Sequence, residues 1–529
     1  MFQPVDPVNL PFVGNRDLAA ECKRARCAIA GCSRFHRRFV RHRAGLGMAQ
    51  CWLGREHQSR DAVVARRWVE NPRSIDAICV LQNLNPMKLH HSTSRSLTRL
   101  HDTNKRSLVS RRHFLKLAAA TAALPAGATF DAVAAPRAKP LPKPQHSGIE
   151  HVVLVMMENR SFDHVLGWLP GANGRQTGLT YPDRTGVPQS TYRLGPADYQ
   201  GCGHADPDHS YEGGRVEYNG GACDGWLQAG DNDLYAIGYY TAEDLPFLAN
   251  AAQNWTTLDG YFAAIMAETF PNRIYQHAAQ TDRLEQSTAL STLPTIWDRL
   301  ADHDLPARYY FSDVPFTALW GTRYLPITRP VSEFFDDAAA GTLPAFSMVE
   351  PRFLGEPLGV SNDDHPFADI RNGEVFLNAV YEAVTSSPNW PNTVLVFNFD
   401  EWGGFFEHVP PSLAPIPRAD AALGSDGRRG FRVPCVIVSP WSGRGVVAHG
   451  LYDHTSVLKM VEWRWHLRAL TVRDASANNL AQALDFRHPD LSAPRFTVPS
   501  GPFGLPCPLQ TADVSDWVRL GELAVQAGF

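Results

Sequence analysis

His151-Val152-Val153-Leu154-Val155-Met156-Met157-Glu158-Asn159 is the stretch whose reading decides the fold. Six apolar side chains follow the histidine without alternation, and the run stops at an acid and an amide. A run of this length, Val-rich and unalternating, reads as a strand buried on both faces of a parallel sheet. The pattern returns three times. Ala345–Val349 ends in Glu350-Pro351, Thr393–Phe399 in Asp400-Glu401, and Val433–Val438 in Ser439-Pro440-Trp441. Helical stretches are predicted between and after these runs, over 243–253, 273–280, about 295–301, 374–386 and 453–467. Strand–helix alternation gives an α/β fold with a mostly parallel central sheet and helices on both faces. Sheets of this kind bind ligands at the carboxyl ends of their strands. Glu158, Asn159, Asp400 and Glu401 are therefore expected to converge, although they lie far apart in the chain.

One acid at one strand end is commonly a cap or an ion-pair partner. Two polar pairs on two strands say more. Three carboxylates and an amide form a hard, oxygen-rich ligand set suited to a divalent cation. Like charges packed this closely need a cation to be tolerated.

Composition narrows the class. The chain has 529 residues, 44% hydrophobic and 20% charged, which excludes wholesale disorder. Spanning a membrane takes roughly 18 or more consecutive apolar residues. Only an Ala-rich segment near position 120 approaches this, so no transmembrane segment is expected in the mature chain. The net charge of −4 hides a division. Residues 1–140 hold 24 Lys and Arg against 9 Asp and Glu, and residues 141–529 hold 26 against 45. The acidic body argues against binding nucleic acid.

Within the basic front, Ser110-Arg111-Arg112-His113-Phe114-Leu115-Lys116 precedes a modest apolar stretch and the small-x-small site Ala132-Val133-Ala134. These are the parts of an export signal, and the pattern resembles the twin-arginine signal of bacteria. Cleavage after Ala134 makes 110–134 the signal and 135–529 the mature, catalytic domain, with the twin-arginine machinery as partner and a periplasmic or secreted destination. Residues 1–109 then form a basic extension, disordered or the product of a start codon placed too early, with Met87 as the alternative start. Cys22, Cys27 and Cys32 near His36 do not match the short spacing of a zinc knuckle. In the exported body Cys202 and Cys223 share a Gly-rich loop, and a disulfide is expected there on that proximity alone.

Thr269, in Glu268-Thr269-Phe270-Pro271-Asn272-Arg273, lies just before a predicted helix. A hydroxyl at such a turn suits a nucleophile attacking phosphorus, with a metal lowering its pKa and helix N–H groups holding phosphoryl oxygens. On local sequence alone the reading as a helix N-cap prevails.

Four motifs occur in order: Glu158-Asn159-Arg160-Ser161-Phe162-Asp163-His164, Thr269-Phe-Pro-Asn-Arg273, Asp363-Asp364-His365-Pro366, and Asp400-Glu401-Trp-Gly-Gly-Phe-Phe-Glu407-His408-Val-Pro-Pro411. Together, over 149 to about 467, they resemble the bacterial phosphoesterase family of secreted phospholipases C and related acid phosphatases, which has an alkaline-phosphatase-like fold. The resemblance implies a divalent metal held by Glu158, Asn159, Thr269, Asp400 and Glu401, with Thr269 also the nucleophile. It places His365 and His209 near the phosphate, to hold a phosphoryl oxygen or protonate the leaving group. Arg273 and His408 are expected to bind substrate, a phospholipid or a smaller phosphate ester. Threonine at 269 resembles the phospholipase C side of the family and serine the phosphatase side, so a phosphomonoesterase is the alternative. Trp402-Gly403-Gly404 and Glu407 depart from the family pattern and alter the expected pocket wall. The chain also ends about 60 residues after the last motif helix, without room for the added β-domains of larger phospholipases. Thr269-x-Pro-x-Arg273 matches a sulfatase frame, but threonine cannot form the aldehyde hydrate sulfatases use. A catalytically dead binding protein would have little reason to keep the acids and the hydroxyl.

Overall fold

A computed structural model describes residues 140–507 and 515–529. The extension expected over 1–109 and the signal expected over 110–134 lie outside the described residues.

The central sheet has eight strands: β1 (His151–Met157), β2 (Thr256–Leu258), β3 (Ala307–Phe311), β4 (Thr328–Pro330), β5 (Phe346–Val349), β6 (Thr393–Phe399), β7 (Cys435–Val438) and β8 (Val447–Ala448). Their spatial order is β8-β2-β7-β6-β1-β5-β3-β4. β1 lies inside the sheet, parallel to both neighbours, with Val155 opposite Val349 of β5 and Phe397 of β6. Residues 152–157 and all of β6 are buried, as their unbroken apolar runs require. Helices cover both faces. On β3, Tyr309 packs against Trp297 and His277, while Tyr310 packs against Phe334. Adjacent strand residues point to opposite faces, so these helices flank the sheet.

One strand runs against expectation. β7 is antiparallel to β6, with Asn398 opposite Cys435 and Leu395 opposite Val438. The chain stays beyond the carboxyl end of β6 through residues 401–432, and β7 then returns the other way. Its end lies at the far edge, where the Ser439 hydroxyl donates to the Thr393 carbonyl at 3.0 Å. Burial on both faces is the same for either direction, which is why the apolar run did not reveal it.

The predicted helices appear as Pro246–Asn254, Thr269–Ala278, Ile296–Ala301, Ile370–Thr385 and His454–Trp465. The second starts four residues earlier than the pattern suggested, because Pro271 falls in its first turn, where a missing N–H does no harm. Thr269 thereby becomes a helix's first residue. Among the described residues no helix is long and apolar enough to cross a membrane.

The expected Cys202–Cys223 pair does not form. Cys202 is bonded to Cys507, 305 residues away. Cys223 is a buried free thiol clustered with Trp226 and Phe431. The loop carrying Cys202 lies against the tail, where Gln200 bonds both the N–H and the carbonyl of Leu505 at 3.0 Å.

Candidate active site

At the carboxyl end of β1 the chain turns sharply. Asn159 adopts a left-handed backbone, φ 47°, which few non-glycine residues hold without support. The support comes from β6: the Asn159 N–H donates to Asp400 Oδ1 at 3.2 Å, and the Glu401 N–H to the same oxygen at 2.7 Å. The two polar pairs thus meet. Thr269 joins them from the helix N-terminus, its hydroxyl 3.2 Å from Glu158 Oε2 and 3.4 Å from Asn159 Oδ1.

Gly403 and Gly404 make the close packing possible. Both have positive φ, and a Cβ on Gly403 would fall 2.2 Å from the Asn159 carbonyl oxygen. A Cβ on Gly404 would fall 2.6 Å from Pro207, beside His209. The glycines at 403 and 404 therefore let this segment pack directly against Asn159 and Pro207. Trp402 is buried, with its indole N–H donating to Glu217 at 2.7 Å.

The site opens into a cavity of about 440 Å³ lined by Glu158, Asp206, His209, Thr269, Glu356 and His365 among others. The two imidazole rings meet edge to face, with centroids 6.3 Å apart. His365 Nδ1 lies 2.7 Å from Glu356 and its Nε2 3.6 Å from Asp206. His209 Nδ1 faces the Pro207 carbonyl at 2.7 Å, and its Nε2 faces Glu401 Oε1 at 3.9 Å. Burial opposes charging either ring, but the surrounding carboxylates override it. They raise His209 to about 10 and His365 to about 9.

The acids are crowded. Burial, then the neighbouring Asp400, holds the Glu158 carboxyl well above its usual range. Burial pushes Glu401 up to about 8 despite the opposing pull of His209. Glu401 Oε1 is buried without a hydrogen-bond partner among the described residues. Glu158 Oε2, Asn159 Oδ1, Thr269 Oγ and Glu401 Oε1 are hard oxygen donors, and the Asp400 carboxylate lies behind them. This set fits a divalent cation that prefers oxygen ligands. Separately, Asp206, His209 and His365 bring one ligand atom each within 4.8 Å of the others.

Arg273 and His408 lie away from the place expected of substrate-binding groups. Arg273 is fully buried beneath the acids and lines none of the cavity. Its guanidinium reaches Glu158 at 2.7 Å, Asp400 at 3.0 Å and Glu350 at 2.5 Å, and it lies 4.7 Å from the Phe353 ring centroid. It is an internal counter-ion. His408 is held 2.5 Å from Asp163, in a network where Arg432 bonds both Asp163 and Glu407. That network ties the first motif to the last, and a second tie comes from the Ser161 hydroxyl donating to the Phe406 carbonyl at 2.7 Å. Arg160 holds the third motif through the Asp364 carbonyl at 2.6 Å.

Several lining residues escaped sequence reasoning. Asp206 stood beside His209 in the same short stretch and could have been found there. Glu356 had no motif around it. Asp516 and Trp517 come from a helix near the end of the chain, Ser515–Ala527. Trp517 stacks on Phe353 with centroids 3.8 Å apart and lies 5.2 Å from Phe270 of the Thr269 helix.

Among solved structures, the fold is similar to a protein of the alkaline phosphatase superfamily from Vibrio parahaemolyticus. That match is 10% identical, covers 62% of this chain and 70% of that one, and has a TM-score of 0.32. The phosphonate monoester hydrolase of Agrobacterium radiobacter is 11% identical, with 64% and 78% covered and a TM-score of 0.33. By sequence, the chain is 30% identical to non-specific phospholipase C1 of Arabidopsis thaliana, covering 64% of this chain and 71% of that protein. It is 30% identical to phospholipase C B of Mycobacterium tuberculosis, covering 72% and 86%. A family model described as the Phosphoesterase family matches residues 149–468, the region that holds all four motifs and every expected site residue, and the chain belongs to that family.

Proposed function

We propose that this phosphoric ester hydrolase is an exported phospholipase C, cleaving a phospholipid into diacylglycerol and a phospho-alcohol with Thr269 as nucleophile. The observation that carries this reading is the Thr269 hydroxyl. It stands at a helix N-terminus, within 3.4 Å of Glu158 and Asn159, on the wall of a cavity with two histidines. The sequence relatives named phospholipase C support the substrate class.

Glu158, Asn159, Thr269 and Glu401, with Asp400 behind them, would hold a divalent cation, and its positive charge would lower the hydroxyl pKa and offset the phosphoryl charge. The Thr269 oxygen attacks phosphorus, and Glu158 Oε2 is the acceptor nearest its proton. The bond to the diacylglycerol oxygen breaks, and His365 or His209 protonates that oxygen as it leaves. Water then hydrolyses the phosphothreonine, releases the phospho-alcohol and restores the hydroxyl. The positive end of the Thr269–Ala278 helix favours the phosphoryl charge throughout.

Turnover of a choline phospholipid, a bis-aryl phosphodiester and an aryl phosphomonoester, each with and without chelator, tests the reading. Both diesters should be cleaved, the monoester poorly, and chelation should lower the rate by orders of magnitude until a divalent cation is returned. Preference for the monoester would make the enzyme a phosphatase. Chelator-insensitive turnover would remove the cation from the mechanism.

Export rests on the Ser110–Lys116 pattern and is supported by the Cys202–Cys507 disulfide, a bond suited to an oxidising compartment. Replacing Arg111 and Arg112 together by lysine should leave unprocessed protein in the cytoplasm, scored by fractionation and mass. Normal processing of that variant would defeat the twin-arginine route.

A further inference from the structure

The loop from Arg352 to Asn362 is closed at its base by two hydrogen bonds between those residues, at 2.6 and 3.1 Å. Within it, Glu356-Pro357-Leu358-Gly359-Val360 is arranged inside out. The carboxylate of Glu356 is 1% exposed and turned to His365 in the cavity, while Leu358 is 56% and Val360 49% exposed. An ordinary surface loop does the reverse. The tail supplies a third apolar side chain at the same place. Leu505 is 75% exposed, and its backbone lies where a Cβ on Gly359 would come within 2.6 Å. The Cys507 N–H donates to the Pro357 carbonyl at 2.8 Å, and the Cys202–Cys507 disulfide anchors the tail. Leu358, Val360 and Leu505 thus form an apolar rim on a fixed support, and the loop that bears it also supplies a wall of the catalytic cavity.

The geometry points to this rim as the surface that docks on a phospholipid bilayer, a step that rests on the phospholipase reading. A scissile phosphate lies at the headgroup level, so an enzyme that reaches it must bring its cavity mouth to the membrane. Apolar side chains beside that mouth enter the acyl boundary and gain what their burial is worth. The occupant is a zwitterionic surface. The cavity wall is acidic, with Asp206, Asp208, Asp231, Glu268 and Asp516, and would be repelled by anionic lipid.

The test uses the full chain and a variant carrying Leu358→Ser, Val360→Ser and Leu505→Ser. All three side chains are exposed and none belongs to the catalytic set. Sedimentation with phosphatidylcholine vesicles should show the bound fraction of the variant falling about tenfold or more. Turnover of vesicle substrate should fall in proportion, while turnover of a water-soluble bis-aryl phosphodiester stays unchanged. Adding anionic lipid should not strengthen binding of the parent chain. Equal vesicle binding by parent and variant overturns the proposal. So does a parent that is dimeric in solution and becomes monomeric in the variant without ever binding vesicles, since the rim would then be a self-association surface. The two readings fail separately. Rim-dependent vesicle binding without phospholipid cleavage defeats the phospholipase reading and leaves the docking surface standing. Cleavage of vesicle phospholipid indifferent to the rim does the opposite.

Discussion

Thr269→Ala should lose essentially all phosphate-ester cleavage, a drop on the order of 10⁴-fold or more, because on the proposed mechanism the change removes the attacking oxygen and one cation ligand together. Thr269→Ser restores both groups and should keep much of the rate. The methyl group of threonine is confined among buried neighbours, so serine gains rotational freedom and should lose some precision in holding its oxygen toward Glu158 and Asn159. Substrate labelled at phosphorus, quenched during turnover, should leave label on the peptide containing Thr269. Stereochemistry gives an independent reading: two in-line displacements retain configuration at phosphorus, and one inverts it. Inversion together with substantial activity in the alanine variant would leave water as the attacking group and end the covalent mechanism.

The second large effect belongs to Arg273. Its guanidinium is the buried positive charge in contact with Glu158, Glu350 and Asp400, and three acids in one dry space depend on it. Arg273→Met strands them, and breaking a buried pair from one side typically destabilises by about 3–5 kcal/mol. The melting temperature should fall by roughly 5–10 °C. Arg273→Lys keeps the charge but not the fork that reaches three carboxylates at once, and should fall between. Direction with pH follows from the same charges. Burial already raises the Glu158 and Glu350 carboxyls, and without the guanidinium their folded-state pKa values stand further above the unfolded ones. The deficit is then largest at neutral pH and shrinks as the acids take up protons on acidification. Glu350 shows the tendency even in the parent, where burial pushes it to about 7 against the pull of Arg273. Calorimetry of parent and both variants across pH 4–8 checks this, about the range over which these acids would titrate. A methionine variant as stable as the parent at pH 7 would mean the acids do not rely on Arg273.

What was legible in the sequence is what a single strand end can announce. An unbroken apolar run followed by Glu158-Asn159, and another followed by Asp400-Glu401, state both burial and position, because side chains just past the last strand residue emerge at the carboxyl edge of the sheet. The family resemblance placed Thr269, His209 and His365 near one phosphate, and all three line one cavity. Arg273 shows where such reasoning stops. It stands one helical turn after Thr269, and spacing alone puts it on the same helix face as that hydroxyl. That helix is buried on every side, so the shared face leads below the acids and not into the open cavity. The direction of β7, the partner of Cys202, and the arrival of Glu356 and Trp517 all depend on long-range chain paths. Local pattern carries no trace of them.

Trp517 also sets where the molecule can be cut. The family match ends at residue 468, and a truncation guided by it would stop there. The indole lies beyond that point, stacked on Phe353 and 5.6 Å from the Arg273 guanidinium, so its removal would uncover the underside of the ionic cluster. Cys507 and Leu505 lie beyond it too, bracing the loop that carries Glu356. The smallest autonomous unit therefore extends through the last helix. A fusion partner or affinity handle belongs after Ala527, and a library that shuffles this core between relatives has to carry the tail along with it.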